Sequence, residues 1–497
     1  MKRALAPLLL SVACASTASA KDLVGVFEDA VKSDPQVHAA DANRLASREA
    51  RPQAWANWLP QLSGSANWTR DHQTSNSTQP YPDPLTGNYL VLPFNTDANS
   101  TQKRWGLNLT QTVFSWAYLS QVKAADSEVA EAEATYLAAQ QTLISRVSAA
   151  YFNVLREQDN LDAQQASLEA IDRQLDQANK RFDVGLIAIT DVEEAKAARD
   201  TAAALVISAK RTLATSVDQL SEITGEKYDA LSKPGDSMPL QNPEPASEDK
   251  WVQTSLDQNP TLVASRLAAD VARSNVQQAF GGHLPTLSVV GARTHTKNDL
   301  SESVNSSPDF QLPGTTNDRQ ISLQLSVPIF SGGGTQSVVR QREYLWIAAK
   351  ETVKQNSRAT ERQARDAYLG VISGIARVQA LKQALESDQT ALKATEAGYE
   401  VGTRTAVDVL NARQKLVQGQ TDYSGSRYDY IISIIQLRLA AGTLNKEDLA
   451  QINKWLDVVE GTVPAAPLNP SDTSTPRAPP GTPQPGATAP PGGTPAR

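Results

Sequence analysis

Hydrophobic positions along the chain form two long ladders with a seven-residue spacing, and each ladder leads to the same kind of short turn. The first ladder consists of Val147, Val154, Leu161, Leu168, Leu175 and Phe182. The second repeats it 217 residues later, at Ala364, Val371, Val378, Leu385, Leu392 and Tyr399. A sustained spacing of seven indicates helices that pack along their length as in a coiled coil. From residue 116 to 182 such a helix would be about 100 Å long.

Each ladder ends at a glycine that is followed by the start of another helix. Gly185 and Gly402 come directly after the ladders, and polar residues that favour helix starts follow at Thr190 and Thr405. A glycine followed within a few residues by Thr or Asp predicts a helix end and a new helix start. We therefore predict two helical hairpins, with return helices over residues 190–224 and 406–441. Because both occur at one offset, the chain is a duplication.

The segments ahead of the ladders change from helical to alternating periodicity. Two matching dipeptides, Asp34-Pro35 and Asn259-Pro260, predict helix starts, and the first of these helices is expected to run to about residue 58. After Pro60 and Pro285 the apolar residues alternate with mostly polar ones. Each half then carries a second alternating stretch, at residues 105–114 and 321–330. About ten residues with one apolar face are typical of a membrane-spanning β-strand. The polar stretches between them, 71–103 and 297–319, are predicted to be long outward-facing loops.

Composition changes at both ends of the chain. Residues 1–20 have a basic start, an apolar stretch and a small-residue cleavage site, which predicts a secretory signal peptide. The only cysteine, Cys14, lies inside it in a poor lipidation box, so the mature chain is expected to have no disulfide. Residues 457–497 are rich in Pro, Gly, Ala and Thr and are predicted to be disordered. Between these ends we predict a first repeat over 21–228, a linker over 229–248 and a second repeat over 249–456.

Charge and apolar run length narrow the class of protein. Without Lys2 and Arg3 the chain has 45 basic and 54 acidic residues, a net charge of −9. An acidic exported protein is a poor candidate for nucleic-acid binding. After the leader no apolar run reaches the length of a transmembrane helix, which leaves a β-barrel as the route into a membrane.

The predicted number of strands requires several copies of the chain. Closed outer-membrane barrels need at least about eight strands, and open sheet edges are not tolerated in lipid. Four strands per chain therefore predict an oligomer of unspecified size. The fold class expected is mainly α with a small β part: internally duplicated helical hairpins plus four strands that contribute to a shared barrel.

Several residue series resemble the TolC family of outer-membrane efflux proteins. The resemblance rests on Asp34-Pro35, Leu59-Pro60, the run Tyr151 to Leu155, Val184-Gly185-Leu186 and Thr190-Asp191-Val192, with related series around Gly398 to Thr405 and Ala441 to Asn445. The resemblance covers roughly residues 22–456. It implies a homotrimer with a 12-stranded outer-membrane β-barrel and a periplasmic α-barrel. It also implies an outer-membrane location in a Gram-negative bacterium, a periplasmic adaptor (membrane fusion) protein, and an inner-membrane pump of the RND, ABC or MFS type.

The same resemblance implies roles for residues at the hairpin tips. In the family the tip turns face the adaptor; the matching residues are Val184, Gly185, Leu186, Val401, Gly402 and Thr403. Acidic residues of the second repeat narrow the closed opening. Asp408 occupies the first such position, whereas the second is Asn411, a departure from the family pattern. Links between the hairpins hold the opening shut; the matching residues are Thr190, Asp191, Tyr399 and Arg404.

Simpler interpretations of these residues stay open at this stage. Tyr399 and Phe182 end the ladders, so core packing alone could account for them. Asp191 and Asp408 both lie where first-turn acids or caps are favoured; capping is the preferred interpretation for Asp191 and the gate for Asp408. The glycines could serve as helix caps first. The segment Gly332-Gly333-Gly334 lacks the remaining residues of a phosphate loop and predicts a strand-to-helix turn.

No constellation of catalytic residues is present in the sequence. The four histidines, His38, His72, His283 and His295, lack metal-ligand spacing, and neither a nucleophile elbow nor a paired-acid arrangement occurs. We therefore expect no enzyme activity, no cofactor and no metal site. The leading hypothesis is a passive, gated exit duct for efflux or type I secretion. The alternative is a structural coiled-coil envelope protein without transport, which would account for the helices but not for the paired strands.

Overall fold

The computed structural model describes residues 20–235, 238–305, 307 and 310–457. The predicted signal peptide up to residue 19, with Cys14, lies outside the described residues, as does the Pro-rich tail from residue 458. In the described residues no helix combines the length and the apolar character needed to cross a membrane.

Two helical hairpins dominate the molecule, as predicted. Helix α4 spans Trp116–Asp183 and returns as α5, Ile189–Thr224. Helix α8 spans Gly334–Glu400 and returns as α9, Ala406–Ala441. With 68 residues, α4 is about 100 Å long at 1.5 Å per residue. The ladder residues nearest the middle of the helices, among them Val147 and Val371, are buried.

Shorter helices precede each hairpin, and one more, α10 (Lys446–Asn453), follows the second hairpin. Those that precede are α1 (Leu23–Ser33), α2 (Pro35–Arg48), α3 (Ala50–Ala56), α6 (Glu248–Gln258) and α7 (Pro260–Phe280). The prediction of one helix from Pro35 to about Trp58 is wrong, because that segment divides at Glu49. Pro52 has no N–H for the carbonyl of Arg48, four residues earlier, and its ring crowds that carbonyl. The helix therefore breaks one residue beyond Arg48.

Four strands form one antiparallel sheet in the order β1, β2, β4, β5. Their bounds are Gln61–Pro82, Tyr89–Phe114, Thr286–Val304 and Phe310–Ser326. The strands are far longer than ten residues, so the prediction of loops over 71–103 and 297–319 is wrong. Cross-strand pairing continues from Asp71 opposite Ser100 to Pro82 opposite Tyr89. A two-stranded ribbon satisfies its backbone hydrogen bonds whatever the polarity of its side chains, so polar composition did not end the strands. Strand β5 stops at Ser326 rather than near Phe330, two residues before Pro328.

The largest core lies where the linker wraps around the helices. Leu23, Tyr151, Phe152, Tyr430 and Ile431 are almost fully buried there. The Tyr151 hydroxyl donates to the Ser232 carbonyl oxygen at 2.7 Å, and burial raises the pKa of this phenol. Polar tips on buried aromatic rings thus bind the linker backbone to α4 and α9.

The linker and the chain end are joined by a short sheet. Strand β3, Lys233–Pro234, pairs antiparallel with β6, Leu456–Asp457. The Lys233 ammonium group lies 2.8 Å from a carboxylate oxygen of Asp159 on α4. These contacts fix the linker about halfway along the hairpins. The sheet lies toward one end of the long helices, and the hairpin tips form the other end.

Candidate functional site: the hairpin tips

The two hairpin tips have the same backbone geometry. At the first tip Gly185 has φ of +74° and donates to the Phe182 carbonyl at 2.8 Å, while the Leu186 N–H donates to the Arg181 carbonyl at 2.9 Å. At the second, Gly402 has φ of +77°, and Thr403 donates to the Gly398 carbonyl at 2.9 Å. This pair of hydrogen bonds is the Schellman helix end, which requires a residue that tolerates positive φ. Val184 and Val401 are the C-caps, the glycines occupy the position directly after them, and both turns project beyond the helices.

Apolar side chains at these turns are exposed to solvent. Val184 is 69% exposed, Leu186 73% and Val401 75%. The other three residues predicted to contact an adaptor, Gly185, Gly402 and Thr403, are exposed as well. A Cβ atom at either glycine would meet nothing within 4 Å. Adjacent exposed apolar side chains at the end of a long element are typical of a protein interaction site.

Asp408 belongs to a capping box at the start of α9. Its carboxylate accepts from the backbone N–H of Thr405 at 2.9 Å, and its own N–H donates to the Thr405 hydroxyl oxygen at 3.2 Å. These hydrogen bonds, with a smaller contribution from the Arg404 charge, lower the pKa of the Asp408 carboxyl below its ordinary value. The carboxylate is therefore held in place and kept ionised by the first turn of its own helix.

The corresponding position in the first repeat is arranged differently. The N-cap of α5 is Ala188, which has no side-chain acceptor. Asp191 lies in the first turn of α5, and its side chain does not cap the helix. The preferred sequence interpretation, capping for Asp191, is therefore wrong, and the structure gives the capping role to Asp408. Within the described residues the Asp191 carboxylate makes no hydrogen bond or ion pair.

The four residues matched to gate-closing links do not pair with one another within a single chain. Thr190 and Arg404 are exposed, Asp191 and Tyr399 are half-buried, and the described part of the chain contains no hydrogen bond among them. Links of this kind between the hairpins stay a prediction. Asn411, in the family's second acidic position, is exposed one turn beyond Asp408.

Tyr399 contacts a residue that the sequence analysis did not identify. The guanidinium carbon of Arg181 lies 5.2 Å from the centroid of the Tyr399 ring. Arg181 is in the last turn of α4 and Tyr399 in the last turn of α8, so the contact joins the two hairpins. The available signal was that a basic residue directly precedes the last ladder position, Phe182. That signal does not specify a partner 218 residues away.

The described residues contain no group of three His, Cys, Asp or Glu side chains placed to hold a metal ion. The site instead combines exposed apolar turns, a fixed carboxylate and weak contacts between hairpins. Such an arrangement is suited to binding another protein and to changing the separation of the helices, because contacts of this strength can be displaced by a partner.

Comparisons with known proteins extend over both hairpins. The sequence profile of the family described as outer membrane efflux protein matches residues 26–226 and 251–443. The chain is 35% identical to the outer membrane protein TolC of Vibrio cholerae over 463 residues, which cover 93% of this chain and all of that protein. It is 27% identical to the alkaline protease secretion protein AprF of Pseudomonas aeruginosa over 450 residues, 90% of this chain and 89% of that one. Its fold is similar to that of the CmeC outer membrane channel of Campylobacter jejuni, with a TM-score of 0.67 and 19% identity over 88% of this chain and 90% of CmeC.

Proposed function

The chain belongs to the outer membrane efflux protein family, and from this premise we propose that it is the outer-membrane channel of a tripartite efflux or type I secretion system. It is a passive exit duct from the periplasm to the exterior of a Gram-negative cell. The observation that carries the proposal is the match of both segments, each with a complete hairpin, to relatives that are efflux or secretion proteins. The family consists of channels, and the proposal assigns no catalytic activity.

Three copies are proposed to form one duct. In the described part of the sheet, β1 and β5 are the outer strands and each has a single neighbour. Ile321, Leu323 and Leu325 are exposed and lie on one face of β5, as expected of a strand that faces lipid. Pairing β5 of one copy with β1 of the next would remove all edges and give 12 strands in a trimer. We further propose that residues 21–228 and 249–456 are two structural repeats, so that the helical tunnel has six similar hairpins.

The hairpin tips are proposed to be the site of a periplasmic adaptor. The support is the exposure of Val184, Leu186 and Val401 at the end farthest from the sheet. Through the adaptor the channel would connect to an inner-membrane pump of the RND, ABC or MFS type, and that pump would supply the cargo. Burying three such side chains would favour the complex by several kcal/mol at about 25 cal/mol per Å² of apolar area.

The tips are also proposed to be the gate. Asp408 carboxylates from three chains would surround the axis, attract cations and narrow the opening. Arg404 and Tyr399 would bind Thr190 and Asp191 of the same or the next chain in the closed state. Each such link at an exposed tip would contribute about 1 kcal/mol or less, which an adaptor could overcome.

Conductance in planar bilayers tests the channel. Purified trimers should insert and conduct ions. Multivalent cations added at the periplasmic end should block this current. Mass in detergent must correspond to three chains. A folded trimer without any conductance would contradict the channel and favour a structural envelope protein, and a folded monomer would contradict the shared barrel.

Site-specific crosslinking tests the adaptor site. The only cysteine lies in the predicted signal peptide, so Leu186→Cys introduces a unique thiol in the mature chain. With a photoactivatable reagent on that thiol, intact cells should yield a covalent product with a periplasmic protein. The matched control is Leu205→Cys, which is also exposed but lies near the middle of α5, away from the tip. Equal capture from both positions would contradict the assignment of the tips.

A further inference from the structure

Ion pairs in the halves of the helices nearer the tips join the two helices of each hairpin. Arg199 on α5 pairs with Asp172 on α4 at 3.1 Å. Arg413 on α9 pairs with Glu396 on α8 at 2.6 Å, and Lys415 pairs with Asp388 at 3.1 Å. These pairs connect the two helices of one hairpin, so they are unaffected when one hairpin moves relative to the other as a unit.

Contacts between the hairpins near the tips are of a different kind. An apolar cluster joins Leu410 of α9 to Ile171 of α4 and Ala202 of α5. Ten residues farther down α4, about 15 Å nearer the tip, the Arg181 guanidinium lies over the Tyr399 ring at 5.2 Å. The contact must break when α8 moves away from α4, because it has one partner on each hairpin.

The chemistry of this contact uses the face of the tyrosine ring rather than its hydroxyl group. In the described residues Arg181 has no carboxylate partner, and the Tyr399 hydroxyl has no hydrogen bond. A guanidinium within about 6 Å of a ring centroid is attracted by the negative face of the ring. The attraction is modest at a partly exposed site, so a protein partner at the tip can displace it.

We propose that Arg181 is a gate residue, and that its cation–π contact with Tyr399 holds the α8–α9 hairpin against the α4–α5 hairpin in the closed channel. The inference rests on the proposed channel function, and it adds to that function a residue outside the matched link positions. Arg181 acts through Tyr399 and is therefore a positioning residue of the gate. In a trimer the contact would occur three times.

A double-mutant cycle on single-channel opening tests the contact. The variants are Arg181→Gln, Tyr399→Leu and the pair, measured as reconstituted trimers. Arg181→Gln should raise the open fraction by about tenfold if three weak contacts are lost together. Tyr399→Leu should raise it by at least as much, because it also removes the links proposed for Tyr399. The pair should exceed Tyr399→Leu by little. Arg173→Gln is the control, because Arg173 is also on α4 but is exposed, and its one ion pair among the described residues is with Glu169 at 3.2 Å.

Conservative variants separate the ring from the hydroxyl group. Arg181→Lys keeps a cation and should stay close to wild type. In a Tyr399→Phe background, which keeps the ring, Arg181→Gln should have its full effect; in a Tyr399→Leu background it should have none. An unchanged open fraction in Arg181→Gln, or the same effect in both backgrounds, overturns the proposal.

A distance measurement makes the test independent of conduction. Spin labels on Asp183→Cys and Glu400→Cys, two exposed positions beside the contact, report the separation of the hairpins in folded trimers. The separation should increase or broaden in Arg181→Gln and remain unchanged in Arg173→Gln. If trimers never conduct, the channel proposal fails while this measurement still decides the contact. If they conduct and the distances in Arg181→Gln equal those of wild type, only the contact fails.

Discussion

The Asp408 carboxylate accepts hydrogen bonds from both the backbone N–H and the hydroxyl of Thr405, at 2.9 and 3.0 Å. The same residue that carries the proposed aperture charge therefore starts its own helix. The equivalent pair in the first repeat, Ala188 and Asp191, cannot make this arrangement because Ala188 has no side-chain acceptor. Of these two equivalent carboxylates, that of Asp408 is held by its own helix start and that of Asp191 is not.

Neutralising Asp408 should weaken the block of the channel by multivalent cations. In Asp408→Asn the amide oxygen can still cap the helix, but three negative charges around the axis are lost, so affinity for a trivalent cation should fall by about tenfold or more. The measurement is the cation concentration that halves the current through single trimers.

Thr405→Ala is the matched control for this variant. It removes the cap at a cost of about 1 kcal/mol and leaves the charge in place, so the block should be largely retained. If the two substitutions weaken the block equally, loss of the Asp408 charge is not what weakens it, and the role of Asp408 at the aperture is contradicted.

Introducing a second carboxylate should strengthen the block. Asn411 is exposed three residues beyond Asp408 on α9, so the two side chains are on neighbouring turns of one face. Asn411→Asp would place a second ring of three charges about 5 Å farther along the helix axis. We expect trivalent cations to bind about tenfold more tightly than to the wild type. Equal block in the two proteins would show that position 411 does not face the duct.

The block should persist to lower pH than an ordinary aspartate would allow. Hydrogen bonds from Thr405, and then the Arg404 charge, lower the pKa of Asp408 below 3.8, so the charge is present above the ordinary value and is lost only as pH falls through the lowered one. The half-blocking concentration should therefore stay constant from about pH 7 to about pH 5. Thr405→Ala should move the onset of the loss to higher pH. An onset in wild type that lies above the ordinary aspartate range would contradict this prediction, because repulsion among the three carboxylates would then outweigh the hydrogen bonds from Thr405.

The sequence predicts the hairpins well because their ends are encoded locally. Helix α9 begins at Ala406 and ends at Ala441 as predicted, since Thr405 and Gly442 carry the start and stop signals themselves. The Thr405 and Asp408 spacing is a capping-box pattern, so their pairing could also have been recognised before the structure was known. What the sequence interpretation overlooked was the alanine at position 188.

Features that depend on distant parts of the chain were not predictable in this way. Strand length was underestimated because β1 and β2 continue pairing through polar residues, whereas an alternating pattern marks only the part with one apolar face. Arg181 was missed because periodicity shows which residues lie on the packed face of a helix but not how two hairpins are rotated against each other. The contact with Tyr399 depends on that rotation.

Two glycines with the same backbone conformation should differ in their tolerance of alanine. Gly402 and Gly442 have φ of +77° and +74°, so alanine at either would carry about 1–2 kcal/mol of left-handed strain. At Gly442 an added Cβ would also lie 2.5 Å from the Gln258 carbonyl oxygen and 2.7 Å from Asn259 Cα, whereas at Gly402 it meets nothing within 4 Å. Moving that backbone should cost a further ~1–3 kcal/mol.

Thermal dissociation of purified trimers measures this difference. Gly442→Ala should lower the dissociation temperature clearly more than Gly402→Ala, because α9 ends against the junction of α6 and α7 and cannot shift without moving both. Gly402→Ala should remain assembled and should lose mainly adaptor capture, since its turn projects into solvent. Equal dissociation temperatures would mean that the close approach of Gly442 to Asn259 relaxes without cost, and that strain from positive φ is the whole effect at both positions.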